Sequence, residues 1–314
     1  MEANMTPRES VSIPGSLNDW VSFRVPASSA NLGPGFDALG MAVQLYLSGR
    51  FRRADRLEIR VSGKDAASIP TTEDNLIWQT ARQVASELGG TLPAVELEIT
   101  NDIPIGKGLG SSAAALVAGV VIAVRLLGLD WDRNRILDMA ARIEGHPDNV
   151  AAAVLGGIVC SAIDDEGIAR AIRLNLPETI GASIVVPDFE VPTSKAREVL
   201  PSHYSKEDAI FNIQRAALLI AALATGRRDV FPTALMDKLH QSYRAKLIPG
   251  LESILALRAE GLLGCAISGA GPSILVIHES NHAEVCKLVE AIFHEQGHQT
   301  AVFHAGIDED GLLL

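Results

Sequence analysis

Three glycines alternate with Lys107 and Leu109 in Pro104-Ile105-Gly106-Lys107-Gly108-Leu109-Gly110-Ser111-Ser112-Ala113-Ala114, directly ahead of an alanine-rich run with helical character. Such a turn presents bare backbone N–H groups at the positive end of a helix, where phosphate oxygens bind. A side chain at the glycine positions would hold a phosphate away, so the residue type itself points to phosphate chemistry. A second segment, Pro26-Ala27-Ser28-Ser29-Ala30-Asn31-Leu32-Gly33-Pro34-Gly35-Phe36-Asp37, sets an amide and a carboxylate on a glycine-shaped loop. Asn31 and Asp37 there suit a small, polar, cationic ligand. Glu144 ends a helical pattern just before Gly145-His146-Pro147-Asp148-Asn149. Taken alone, it reads as a helix-end glutamate with an aspartate N-cap beyond it.

The elements that must carry these groups follow from periodicity. Val21–Val25 reads as a strand ended by Pro26, with a small-residue loop from Ala27 to Gly35. Residues 43–47, 57–61 and 95–99 alternate as half-buried strands do. Residues 73–88 and 132–144 have helical spacing, and Asp148 is placed to cap a short helix through Val154. Residues 158–163 form a further strand. A second module is expected from about Ala171, with a strand at 184–186, helices at 206–224 and 249–260, and strands at 265–267 and 274–277 flanking Ser268-Gly269-Ala270-Gly271-Pro272-Ser273. A helix at 282–295 and a strand at 300–304 complete it. Strands and helices mix without a regular βαβ rhythm in the first half, so the class is α+β.

At 314 residues the chain is long for one core, and two domains are expected. Its net charge of −11 argues against general affinity for nucleic acid or anionic membranes. Three widely spaced cysteines read as reduced thiols of a cytoplasmic protein. Residues 1–18 are polar, lack the apolar core of a secretory signal and read as a loosely attached extension. The apolar run Ala113–Val124 is too short to cross a bilayer.

Two common phosphate loops do not fit. A Walker A loop needs Ser or Thr after its lysine, and Lys107 is followed by Gly108. Gly108–Ala113 does match G-x-G-x-x-A, but Pro104 separates it from the strand, and Asp130 and Asp132 follow the helix rather than a second strand. A glycine-rich turn without a ligand is the plain alternative. At every position, however, Pro104–Ala113 resembles the phosphate loop Pro-x-x-x-Gly-Leu-Gly-Ser-Ser-Ala of the GHMP kinases. That resemblance implies ATP held by backbone amides around Gly106–Ser112, and Mg²⁺ on the Ser112 hydroxyl and the Glu144 carboxylate. A hard cation prefers such oxygen ligands.

Glu144–Asn149 and Pro26–Asp37 are similar to the homoserine kinase branch of that family, whose reaction serves threonine biosynthesis. By that resemblance Asn31 and Asp37 hold the hydroxyl and amino ends of L-homoserine, His146 lies near it, and Asp148 and Asn149 buttress the loop. Arg197 and Arg244 match positions that grip its carboxylate, and arginine has the geometry for that. Thr193 falls near the acceptor hydroxyl, the turn around Gly271 backs the phosphate loop, and Asn75 belongs to the nucleotide pocket. No catalytic base is apparent. The implied fold has an ATP-binding domain like ribosomal protein S5 domain 2 over residues 21–170 and a ferredoxin-like domain over 171–314, behind an extension of residues 1–20. The family often forms homodimers. The resemblance leaves another alcohol as acceptor open.

One rival comes from a different class. His294-Glu295-Gln296-Gly297-His298 spells H-E-x-x-H, with His304 in place of a third zinc ligand. Zincin chemistry needs both histidines on one helical face. Gly297 weakens that helix, and Ala301 stands where metzincins carry glycine.

Overall fold

In the computed structural model, residues 19–304 and 306–314 are described; the extension expected over residues 1–18 lies outside them. The first half runs β1 (Val21–Ala30), β2 (Leu39–Arg53), β3 (Glu58–Gly63), α1 (Leu76–Glu87), β4 (Val95–Asn101), α2 (Ser111–Leu126), α3 (Arg133–Glu144), α4 (Asp148–Leu155), β5 (Ile158–Ile163) and β6 (Ala169–Leu174). Its sheet has the order β3-β4-β2-β5-β6, with β1 also paired to β2. Among the described residues only β3 and β4 pair parallel. Between Ala113 and Leu126 every residue of α2 but Ala115 and Arg125 is buried, as expected of a helix apolar on all sides. The phosphate loop before it is tied to β1, where the Ser28 N–H donates to the Leu109 carbonyl at 3.0 Å.

The second half runs β7 (Ile180–Pro187), α5 (Thr193–Glu198), α6 (Lys206–Thr225), α7 (Phe231–Ala234), α8 (Gln241–Arg244), α9 (Leu251–Leu255), β8 (Leu262–Ile267), β9 (Ile274–Glu279), α10 (Cys286–Glu295) and β10 (Thr300–Phe303). Its antiparallel sheet has the order β10-β7-β9-β8. Two sheets with mixed helices are the α+β architecture expected. One apolar core joins residues of both, from Phe23 and Leu97 to Ile184, Leu219 and Leu275.

Several elements differ from the periodicity reading. Pro26 does not end β1: the register slips between Pro26 and Ala27, and this bulge absorbs the missing N–H while the strand continues to Ala30. The helix expected over 249–260 is only Leu251–Leu255. α1 starts at Leu76, because the Asn75 side chain caps it by accepting from the Ile77 N–H at 3.1 Å. Asp148 lies inside the first turn of α4 rather than capping it, and Pro147 takes the cap position.

β6 was not anticipated, and the boundary expected after residue 170 falls within it. The last residues also return to the first sheet: Leu313 bridges Arg24 and Ile307 bridges Val43. Arg133 fixes this tail by donating to the carbonyls of Asp310 and Leu312.

Candidate active site

The loop before α2 is shaped by contacts that exclude side chains. Gly108 has φ +75°, and a Cβ there would lie 2.2 Å from the Ser268 carbonyl oxygen. Gly110, the N-cap of α2, has φ +66°, and a Cβ would lie 2.0 Å from Ser28 Oγ. Both positions therefore demand glycine on two counts, backbone conformation and space. The turn at 268–273 backs the loop: Ser268 Oγ donates to the Gly108 carbonyl at 2.7 Å. Gly271 contributes from behind, its carbonyl oxygen 2.8 Å from where a Gly108 Cβ would stand.

One cavity of about 330 Å³ opens over the loop. Pro104, Ile105, Gly106, Gly108, Leu109, Gly110, Ser111 and Ser112 line it, as do Asn31, Asn75, Asp37, Glu144, His146, Thr193, Arg197 and Arg244. Ala113, Ala114 and Gly271 are not in its wall. Neither is Lys107, whose ammonium donates instead to the carbonyls of Asp188 (3.0 Å) and Phe189 (2.7 Å) past the end of β7. Asn75 reaches the wall with its amide already engaged, by its cap and by the Pro70 carbonyl at 2.7 Å. The sequence reading missed the apolar part of the wall, Leu47, Ile69, Pro70 and Ile99. These residues come from separate elements and carry no motif.

Ser112 Oγ lies 3.5 Å from Glu144 Oε2. Burial pushes the Glu144 carboxyl above its ordinary range, with Asp148 adding to the rise and His146 opposing it. Among the described residues no lysine or arginine pairs with Glu144. A hydroxyl beside an unneutralised, half-buried carboxylate is a donor set that fits a hard divalent cation. His146 Nδ1 sits 2.7 Å from Asp148 Oδ1. Burial alone would pull His146 down, but the bond to Asp148 and the charges of Asp148, Glu144 and Asp37 outweigh it, and its pKa is raised.

At the other end of the cavity, Asn31, Leu32 and Asp37 all have positive φ (72°, 45° and 54°), a strained loop of the kind found around ligands. Asn31 Nδ2 donates to the Gly269 carbonyl at 2.8 Å, and its Oδ1 accepts from the Asp37 N–H at 3.0 Å. Asp37 meets Arg197 of α5 in a two-pronged ion pair, 2.8 and 3.2 Å. Arg244 is buried, with Nε donating to the Ala196 carbonyl at 3.2 Å and Nη1 to Gly269 at 2.9 Å. Burial, reinforced by Arg197, lowers its pKa to about 10, so it remains a cation at neutral pH. Thr193 opens α5 on the cavity side.

The H-E-x-x-H segment does not assemble. α10 ends at Glu295 and Gly297 turns with φ +85°, so the two histidines share no helical face. His294 bonds Thr300, His298 bonds Asp188 and His304 bonds Ser183. Among the described residues the group of possible metal ligands that converges is Asp37, His146 and Asp148, in the cavity itself.

Comparison with known proteins agrees with this geometry. The GHMP kinases N terminal domain matches residues 75–157, and the GHMP kinases C terminal domain residues 219–293. The homoserine kinase of Solibacter usitatus is 62% identical over 297 residues, covering 95% of this chain and 98% of that protein. That of Deinococcus radiodurans is 49% identical over 257 residues, covering 82% and 83%. The crystal structure of homoserine kinase from Cytophaga hutchinsonii superposes with a TM-score of 0.80 at 28% identity, covering 99% of both chains. With its phosphate loop, both of its domains and nearly its whole length shared with these proteins, the chain belongs to the GHMP kinase family, in its homoserine kinase branch.

Proposed function

We propose that this chain transfers the γ-phosphoryl group of ATP to the side-chain hydroxyl of L-homoserine, giving O-phospho-L-homoserine and ADP on the route to threonine. The observation that carries this reading is that loop amides and an amino-acid cradle line a single cavity. The hydroxyl oxygen bonds to the γ-phosphorus as the bond to the β,γ-bridging oxygen breaks. Such a transfer asks mainly for alignment and charge neutralisation.

The loop amides before α2 hold the phosphates, and the wall of Leu47, Ile69, Pro70 and Ile99 takes the nucleobase. Ser112 and Glu144 would hold Mg²⁺, which supplies charge neutralisation at the phosphates. Asp37 and Arg197 are already matched as anion and cation. The zwitterion of an amino acid exchanges that one pair for two, its ammonium on Asp37 and its carboxylate on Arg197 and Arg244. Asn31 and Thr193 orient the hydroxyl. His146, whose pKa is raised by the bond to Asp148 and the charges of Asp148, Glu144 and Asp37 against burial, stands in the same wall beside them. No side chain is needed as base, and the proton leaves to phosphate or solvent. The three cysteines are all free, which supports a reducing, cytoplasmic setting.

A coupled ADP-release assay over homoserine, mevalonate, shikimate and galactose tests the reading. Turnover is expected with homoserine alone; turnover with another alcohol and not with homoserine overturns it.

We further assign the exposed face of α6 to a homodimer. α6 is long and apolar enough to cross a bilayer by length and composition, yet little of it is buried in the fold. Ile210 (44% exposed) and Ile213 (69%) share a stripe with Ala217, Ala221 and Ala224. Antiparallel self-pairing about Ala217 sets each isoleucine against an alanine and Glu207 against Arg227, a self-complementary two-fold surface. Sedimentation of Ile213→Glu should show a monomer where the unaltered chain is a dimer.

A further inference from the structure

His240 is fully buried behind the acceptor cradle, and no step of the transfer touches it. The partners of its two ring nitrogens dictate one protonation state. Nε2 lies 2.7 Å from the Gly33 carbonyl oxygen, which only accepts, so Nε2 carries the hydrogen. Nδ1 lies 3.1 Å from Arg244 Nη1, which only donates, so Nδ1 is bare. A protonated ring would set N–H against N–H at that contact. The surroundings agree, since burial pulls His240 below its ordinary value and the Arg244 charge pulls the same way, against Asp237.

The ring is itself anchored. The backbone N–H groups of His240 (2.9 Å) and Gln241 (2.7 Å) donate to Asp237 Oδ2, and that carboxylate has no exposed surface. Asp237 Oδ1 accepts from Asn212 Nδ2, which also reaches the Pro34 carbonyl, each at 3.0 Å. Phe36 stacks over the imidazole at 5.3 Å between ring centres, and the Arg244 guanidinium lies 5.5 Å from the same Phe36 ring. One imidazole thus joins the strained loop around Gly33–Phe36 to the guanidinium one helical turn further along α8.

We propose that His240 is a positioning residue: as its Nε2–H tautomer it ties the Gly33 carbonyl to Arg244 and sets the plane in which that guanidinium meets the acceptor's carboxylate. The proposal rests on the reading of Arg244 as a carboxylate grip. Without the Nδ1 acceptor, Nη1 keeps only the Gly269 carbonyl, and the guanidinium plane is free to swing about the remaining contacts. Conservative replacements separate the two bonds of the ring. An asparagine amide oxygen falls near the place of Nδ1, and a glutamine amide nitrogen near that of Nε2.

Steady-state kinetics of the full chain, varying homoserine and ATP separately, test it. His240→Leu should raise the KM for homoserine about tenfold and leave that for ATP within about twofold. His240→Asn should recover most of the loss and His240→Gln little of it. The double variant His240→Leu/Arg244→Leu should be no worse for homoserine than Arg244→Leu alone, because both changes remove one interaction. Multiplying effects in the double variant, or a parallel rise in the ATP requirement, overturn the proposal while the Arg244 reading stands. An unchanged homoserine KM in Arg244→Leu overturns that reading and this proposal with it. If His240→Leu does not fold, the Asn and Gln variants decide: Gln outperforming Asn overturns the assignment.

Discussion

The two ends of the cavity are built from different materials. The phosphate end is made of main chain: the run from Pro104 to Ser112 apart from Lys107, glycines where neighbours leave no room, and the N-terminus of a buried helix. The acceptor end is made of side chains, and they come from far apart in the chain: Asn31 and Asp37 from the β1–β2 loop, Arg197 from α5, Arg244 from α8. In the function proposed above, backbone would recognise the feature that every nucleoside triphosphate shares, and charged side chains the two charges of one class of acceptor, so that specificity could change at this end without disturbing the other.

Substitutions should respect that division, and the largest effect is expected where backbone itself must move. Gly108→Ala places a methyl group against the Ser268 carbonyl in a left-handed conformation. Turnover should fall about a hundredfold or more, with the homoserine requirement little changed; a selective rise in that requirement would break the comparison. Asp37→Asn leaves Arg197 without its partner and should raise the homoserine KM on the order of thirtyfold, with the ATP KM unchanged. Lys107→Met sharpens the boundary, because this side chain ties the phosphate loop to the second half without lining the cavity. An increase of about fivefold in the ATP KM alone is expected.

The smallest effect is on stability. The Glu144 carboxyl is raised by burial, so its ionised form is penalised in the native state, and the fold loses stability as pH rises through that raised value. In thermal melts without nucleotide or magnesium, Glu144→Gln should melt about 2 °C higher at about pH 8, and the gain should vanish near about pH 4. Equal melting temperatures throughout would mean that the carboxylate carries no such penalty.

The same division governed what could be read in the sequence. The phosphate loop was legible because its function is local, one unbroken run of residues whose types are forced by backbone geometry. Helix positions were legible in part: the pattern over 132–144 coincides with α3 and its cap Asp132, whereas the cap read at Asp148 lies inside α4 and the cap Asn75 went unread. The residues that hold the acceptor end in place were not. His240 and Asn212 act on the carbonyls of Gly33 and Pro34, contacts across 207 and 178 positions that leave no pattern in either segment. The apolar wall was invisible because Leu47 and Ile99 look like any strand residues until the fold brings them beside Pro70. Pro26 misled in the opposite sense: a local rule said the strand must stop, and pairing with β2 carried it onward through a bulge.

Residues 307–314 do not line the cavity, yet they help to close the first sheet. Ile307 and Leu313 bridge to the first two strands, and Leu312 is buried against the helices of the first half. The first half therefore holds both β1 and residues that lie beyond the whole second half in sequence. Its sheet is closed only when residues from both sides of the second half meet. Trimming a handful of amino acids from the carboxyl end would injure the opposite lobe.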